Sequence, residues 1–420
     1  MTTAIINSTQ GPVRRRRSRR GMMTGMLLVV LLFLSGCLAL GLNAGRLLNS
    51  GSQMRATCRA AALAGAAELM DEGILVGKLD PRDDVMMARE AARIFAQMNP
   101  VDNRPIKLDV NRSNDPNGDI VLCTVDPLGS VNQLRHMPTA ETSPVNTVRV
   151  TLGTKRNAYD RLSLWFGNVT GVANTGINIT AQATLDRRVA GFRPEPGVRV
   201  PVVPLAADYQ AWMRGALTAA VAGQNDQFAV NYQTGAVMKG ADGVPEIIFI
   251  CSAAANEAAA GAAEVAESAD PSIAEPTGFC AALKLNDDGT DPWIWSTRCR
   301  EGLGLGDLRP WGGEIVVRGG SLPMPVFATL PAPLPWDLAD LVGKCRAWPL
   351  GMAGTSNGAP GYNVVGFAAG RIVAVRQSTA SSTAGMWEIV VQPSTLVSSQ
   401  AVATATMSQN PWIGKLELTE

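Results

Sequence analysis

From Gly21 to Gly45 the chain runs 25 residues without a charge: GMMTGMLLVVLLFLSGCLALGLNAG. As a helix this run is about 37 Å long, against a hydrocarbon core of roughly 30 Å, so it can cross a bilayer with some tilt. Arg14, Arg15, Arg16, Arg17, Arg19 and Arg20 precede it, and no acid lies among residues 1–21. Such a cluster stays on the cytoplasmic side. The expectation is therefore a single-pass protein of the inner (cytoplasmic) membrane, with residues 1–20 in the cytoplasm and the rest extracytoplasmic. No second run matches this one in length and apolarity; VPEIIFICSAAA is short and interrupted by Glu246.

The formal net charge of +1 hides a split. With the six arginines set aside, 31 basic residues face 36 acidic ones, a net of −5. A basic arm on an acidic body suits a topology signal. A nucleic-acid binder spreads its positive charge over a face, so no nucleic-acid partner is expected.

Leu34-Ser35-Gly36-Cys37 also matches a lipobox, where a lipoprotein is cut and acylated. The residues after Cys37, LALGLNAG, stay apolar, and Cys37 reads as a small residue of the membrane helix. Gly25, Ser35, Gly36, Ala39 and Gly41 could let a partner helix approach closely. Gly and Ala are also simply common in membrane helices.

Residues 46–70 contain no proline and are rich in Ala, Leu, Met, Gln and Arg, so the helix is expected to continue outward. Leu63, Ala66, Ala67 and Met70 fall at i, i+3, i+4 and i+7, one stripe of that helix. The stripe has two uses: docking on the protein's own body, or docking on a partner helix. A second helix is expected over Arg82–Met98, with Val85, Met86, Ala88, Ala92, Phe95 and Ala96 facing the core. Residues 106–125 alternate apolar and polar around Asn-Asp-Pro-Asn-Gly and predict a β-hairpin. A strand follows at 146–156, then a short apolar helix and another strand before residue 190. The fold class is thus α+β: a long N-terminal transmembrane helix, then a β-rich ectodomain. Expected boundaries are a basic tail at 1–20, the membrane helix at 21–45, an α+β domain at 46–195 and a connecting region at 196–252. An Ala-rich helix or linker follows at 253–275, then a β-rich domain carrying Cys and Trp at 276–420.

Little in the chain points to chemistry. His136 is the sole histidine and sits in a polar loop sequence. No G-x-S-x-G, Walker A, Rossmann or H-E-x-x-H pattern occurs, so no enzyme activity and no cofactor are expected. Asp109, Asp115, Asn117 and Asp119 look like a Ca²⁺ loop but miss the EF-hand spacing and its terminal Glu. Seven cysteines include no C-x-x-C. Cys251, Cys280, Cys299 and Cys345 cluster, and outside the cytoplasm one or two disulfides could form among them in a pairing left open. Trp293, Trp295, Trp311, Trp336 and Trp348 read as core packing, or alternatively as a sugar-binding platform.

Arg19-Arg20-Gly21, the uncharged span, Gly45-Arg46, Gln53-Met54 and Ala60-Ala61-Ala62-Leu63-Ala64-Gly65-Ala66 together resemble the N-terminus of TadE/TadG-like proteins. These are pilin-like membrane proteins of the tight-adherence (Flp, type IVb) pilus assembly machinery. The segment 197–213 and GADGVPEIIFI resemble a planctomycete-type subset. The likeness implies that the membrane helix continues as a pilin-like helix, and that the partners are the membrane and other pilus-assembly or pilin-like proteins; a homo-oligomer is compatible with it. Asn43 and Arg59 stand where the family often has Asp, and Met26 stands where pilins carry a Glu. Gly21 and Cys37 remain the two possible processing sites, and these departures favour an accessory role over a fibre subunit. The Asp-x-Ser-x-Ser of a von Willebrand A domain is missing. The alternative reading is an envelope lipoprotein, or a tethered module binding polysaccharide through the Trp-rich C-terminal region.

Overall fold

A computed structural model describes residues 20–70, 73, 75, 81–126, 135–136, 145–153, 162–163, 174–231, 234–251, 277–286, 291–327, 334–356, 359–377 and 386–419. The molecule is mixed α+β: one long apolar N-terminal helix and a β-rich remainder. Proline-free sequence propagates helix α1 from Arg20 to Ala67, beyond the uncharged run. Helix α2 (Pro81–Met98) opens on a proline, which has no N–H of its own to leave unpaired at the first helical position.

Strands β1 (Ile120–Thr124), β2 (Arg135–His136), β3 (Thr147–Gly153), β4 (Leu162–Ser163), β5 (Asn174–Thr175), β6 (Asn178–Asp186) and β7 (Val189–Phe192) follow. β8 (Leu205–Asp208) runs directly into helix α3 (Tyr209–Leu217). Next come β9 (Phe228–Asn231), β10 (Ala236–Lys239), β11 (Ile247–Cys251) and β12 (Thr277–Ala282). Helix α4 (Pro292–Glu301), β13 (Ile315–Val316), β14 (Leu322–Pro325) and helix α5 (Leu334–Ala339) precede β15 (Cys345–Ser356), β16 (Ala359–Gln377) and β17 (Trp387–Pro393). β18 (Leu396–Ser398), β19 (Ala401–Ala403) and β20 (Ile413–Thr419) come last.

The chain divides into two units: Met1–Met54 with Gly153–Asn178, and Arg55–Leu152 with Ile179–Glu420. The first holds the apolar part of α1 and the β4–β5 pair. The second is built on two large sheets. One is six-stranded, in the order β18-β20-β6-β3-β1-β2. The other runs β14-β16-β15-β8-β12-β11-β17, and a further β16–β17 pairing closes its last six members into a ring. Closure removes the exposed edges that invite aggregation. Small residues at Ala207, Ala282 and Gly370 leave room in so narrow a barrel for Phe249, which stacks on Trp348 and on Trp212 of α3. A Cβ at Gly370 would lie 2.7 Å from the Trp212 ring. Asp208 caps α3, accepting from the Ala211 N–H at 2.7 Å.

Several expectations fail for physical reasons. The ring draws strands from 205–208, 247–251, 277–282 and 345–393, so it crosses the boundaries expected at 196–252, 253–275 and 276–420. Likewise β20 pairs with β6, binding residues 413–419 to the sheet expected to end by 195. The hairpin at 106–125 has only its second strand. Asn111 and Asn114 adopt positive φ (48° and 51°), which favours turns. The Asn114 side chain then does a strand's work: its Oδ1 accepts from Leu122 N (2.8 Å) and its Nδ2 donates to Leu122 O (3.0 Å). On α2 the covered face is Ala88, Arg89, Ala92 and Ala96, while Met86 and Phe95 are exposed rather than core-facing. The Ala-rich stretch 253–275 and the short apolar helix expected near 164–170 lie outside the described residues.

Candidate membrane anchor and docking faces

Among the described residues one helix, Met23–Ala67, is long and apolar enough to cross a membrane. Every side chain from Met23 to Ser35 is exposed, on all sides of the helix. A soluble helix shows one apolar stripe, whereas one apolar all round needs an apolar environment all round. Its polar side chains are compatible with this, since Ser35 Oγ donates to Leu32 O at 2.9 Å within the helix. Cys37 is exposed on the same stretch. Added Cβ atoms at Gly25, Gly36, Gly41, Gly45 and Gly51 would meet nothing within 4 Å. Among the described residues, packing therefore makes no use of those small residues. Gly21 and Arg20 lie in the first turn of α1. Arg14, Arg15, Arg16, Arg17 and Arg19 lie outside the described residues.

The outer end of α1 is different in kind. Ala61, Ala62 and Ala66 are fully buried, Met70 nearly so, and Leu63 and Ala67 half-buried. A Cβ at Gly65 would sit 2.8 Å from Ala88 O, 3.2 Å from Ala92 Cβ and 3.1 Å from Val148 Cγ1. The strip is thus wedged against α2 and the six-stranded sheet. Cys58 points into the same layer and donates to Val150 O at 3.1 Å. Of the two uses open to the strip, docking on the protein's own body occupies these alanines. Buried Arg89 ties α2 down, donating to Val110 O (2.7 Å), to Asn111 O and to Asn114 Oδ1 (3.1 Å).

Cys251 and Cys280 form a disulfide between β11 and β12, at a directly paired position. It closes the segment that contains the Ala-rich stretch. Cys299 is buried and Cys345 half-buried, and neither is in a disulfide. Burial pushes the Cys299 thiol up, with Asp337 adding to the effect, so it is not a reactive thiolate.

The tryptophans part ways. Trp295 is buried and meets Phe327 edge-on at 5.5 Å, Trp348 is buried in the barrel, and Trp311 Nε1 donates to Leu285 O. Trp293 and Trp336 are exposed on α4 and α5, which are joined by a 2.6 Å bond from Ser296 Oγ to Asp337 Oδ1. Trp293 and Trp295 therefore do not share a surface.

Glu246 is buried; its Oε2 accepts from Gln227 N and its Oε1 from Phe228 N, at 2.8 and 2.9 Å. Burial pushes its carboxyl up to about 7, nearby Asp226 and Asp242 add to this, and the two amides oppose it. Both oxygens are engaged with backbone, which makes it a loop-organising residue that sequence reasoning missed. Asp109, Asp115 and Asp119 likewise cap backbone amides of their own loop. Asn117 contributes its N–H to Asp115. His136, expected in a loop, lies in β2 and pairs with Cys123 of β1. Among the described residues no three His, Cys, Asp or Glu side chains could hold a metal ion together. Compared with family models, with curated proteins and with solved structures, the chain matches none.

Proposed function

We propose that this chain is a non-enzymatic, single-pass membrane protein, with its N-terminus in the cytoplasm and its body outside. We infer that it acts as an accessory component of tight-adherence pilus assembly or of a related envelope secretion complex. It works by contact: the apolar part of α1 meets other membrane helices, and the β-rich body presents surface. The observation that carries the reading is the helix itself, apolar and exposed on every side from Met23 to Ser35. The disulfide supports an oxidising compartment for the body, because such bonds are rare in reducing cytoplasm. The uncovered glycines support close helix–helix approach in the bilayer. The link to the pilus machinery rests on the sequence resemblance over residues 14–75.

The polysaccharide-binding alternative is weakened because Trp295 is committed to the core. Lipidation at Cys37 would cut the exposed helix in two. The test is photo-crosslinking from positions 28, 32 and 40 of the full chain in its native host, with mass-spectrometric identification. Capture of pilin-like or assembly-platform membrane proteins is expected. Capture of none of these, or recovery of a chain beginning at an acylated Cys37, would overturn the reading.

A further inference from the structure

The six-stranded sheet has a short open edge beside α1. Strand β6 lies between β3 and β20. Leu185 N donates to Asn146 O on the β3 side. Backbone direction alternates along a strand, so Ala183, Ala181 and Ile179 also turn their N–H and C=O toward β3, while Gln182 and Thr180 turn theirs toward β20. The described ladder to β20 ends at Thr419, which pairs with Gln182. Thr180 is the next residue of β6 to face that way. Its N–H and C=O therefore look toward a side that holds no strand among the described residues.

A cavity of about 370 Å³ opens at this spot. Ile179, Ala181 and Leu418 give it an apolar floor, and Arg55 and Arg59 of α1 form its other wall. Both arginines are exposed, and no acid lines the cavity among the described residues. An open strand edge recognises a second backbone in extended form, which a lipid or a free phosphate does not have. The arginines then select its charge: they repel a basic strand and offer fork-shaped donors to carboxylates. Spacing agrees. Residues four apart on a helix are about 6 Å apart along its axis, and alternate residues of a strand about 6.7 Å. Helix α1 runs along β6 in the same sense, since Cys58 meets Ile179 O and Leu69 O accepts from Arg187. A strand in line with β20 would turn its residues opposite Ala181 and Ile179 toward α1. The residue between them would exchange two backbone bonds with Thr180.

We propose that this edge takes an extended segment of a partner protein, bound antiparallel to β6, with carboxylates two residues apart beneath Arg55 and Arg59. The inference does not depend on the function proposed above. It is tested by fluorescence anisotropy of a labelled Thr-Glu-Val-Glu-Thr peptide on the full chain in detergent, where saturable binding is expected. Arg55→Gln combined with Arg59→Gln should weaken it at least about fivefold. Thr-Glu-Glu-Val-Thr has the same composition but turns only one acid toward α1, and should bind about fivefold more weakly or worse. N-methylation of the central Val removes the donor to Thr180 O and should weaken binding by at least as much. Thr180→Pro removes the open N–H without touching the β3 ladder and should do the same; the N-methylated peptide keeps backbone pairing testable if that variant fails to fold. Glu420 follows Thr419 in the sequence, so Glu420→Gln is measured alongside. No saturable binding to wild type, equal affinity for the two peptides, or equal affinity for the N-methylated one would each overturn the proposal. So would an affinity unmoved by the paired arginine substitutions, or binding that arises only in Glu420→Gln, which would make the chain's own acid the occupant.

Discussion

Gly65 offers a quantitative test of how α1 joins the body. Glycine in a helix interior is unfavourable by about 0.8–1.0 kcal/mol relative to alanine. On propensity alone, Gly65→Ala should therefore stabilise. The structure sets a larger opposing effect: the new Cβ would lie 2.8 Å from the Ala88 carbonyl oxygen, with Val148 Cγ1 and Ala92 Cβ at 3.1 and 3.2 Å. The carbonyl is backbone and cannot swing aside, so α1 and α2 must separate by a few tenths of an ångström. Overpacking of this kind costs about 1–3 kcal/mol. The net expectation is a loss of about 1 kcal/mol for Gly65→Ala, and more than about 3 kcal/mol for Gly65→Leu, whose further carbons have no space. Gly51, in the same helix, has nothing within 4 Å of its added Cβ. Gly51→Ala should leave stability unchanged or raise it by up to about 1 kcal/mol. The assay is urea unfolding of the full chain in detergent, followed by tryptophan fluorescence. If Gly65→Ala stabilises as much as Gly51→Ala, the close approach of α1 to α2 is refuted.

Two further predictions concern the barrel. Glu246 titrates near 7 when folded and near 4.5 when unfolded, so between those values the folded state holds the extra proton. Its contribution to stability is complete below about pH 4.5 and is lost as pH rises to 7, by at most about 3.5 kcal/mol at roughly 1.4 kcal/mol per pKa unit. Replacing Glu246 with the non-titrating Gln should flatten that part of a stability-versus-pH curve, whatever its absolute stability; an unchanged slope would assign the effect elsewhere. The Cys251–Cys280 bond closes a loop with a sequence separation of 29. The loop-entropy relation puts its contribution at about 3.5 kcal/mol, read as the stability difference between wild type and a Cys251→Ala/Cys280→Ala variant. Equal stabilities would mean that the bond contributes nothing to the folded state.

The anchor was legible because a 25-residue uncharged run admits few alternatives. Its continuation to Ala67 was legible from the missing proline. The face that α2 buries was not. Helical spacing marks apolar positions but does not say which stripe meets the body, and small Ala88, Ala92 and Ala96 admit the closer approach of α1. The closed barrel was hidden because its strands lie far apart in sequence, and local patterning carries no information about which strand pairs with which. The lost hairpin strand turned on two asparagines whose side chains replace backbone pairing, a detail that alternation alone does not encode. Glu246 stood out only as the interruption of an apolar run. Its partners, at Gln227 and Phe228, come from the far side of the β9–β10 hairpin.

The central claim is that α1 crosses the membrane once, with the arginines inside and the body outside. Single cysteines at Ser18, in the basic tail, and at Lys239, exposed on β10, report it directly. Cells made permeable only in their outer layers are treated with a membrane-impermeant maleimide, and labelling is repeated after lysis. The account predicts that Lys239→Cys labels at once and Ser18→Cys only after lysis. Labelling of Ser18→Cys in intact cells, or protection of Lys239→Cys until lysis, would contradict it.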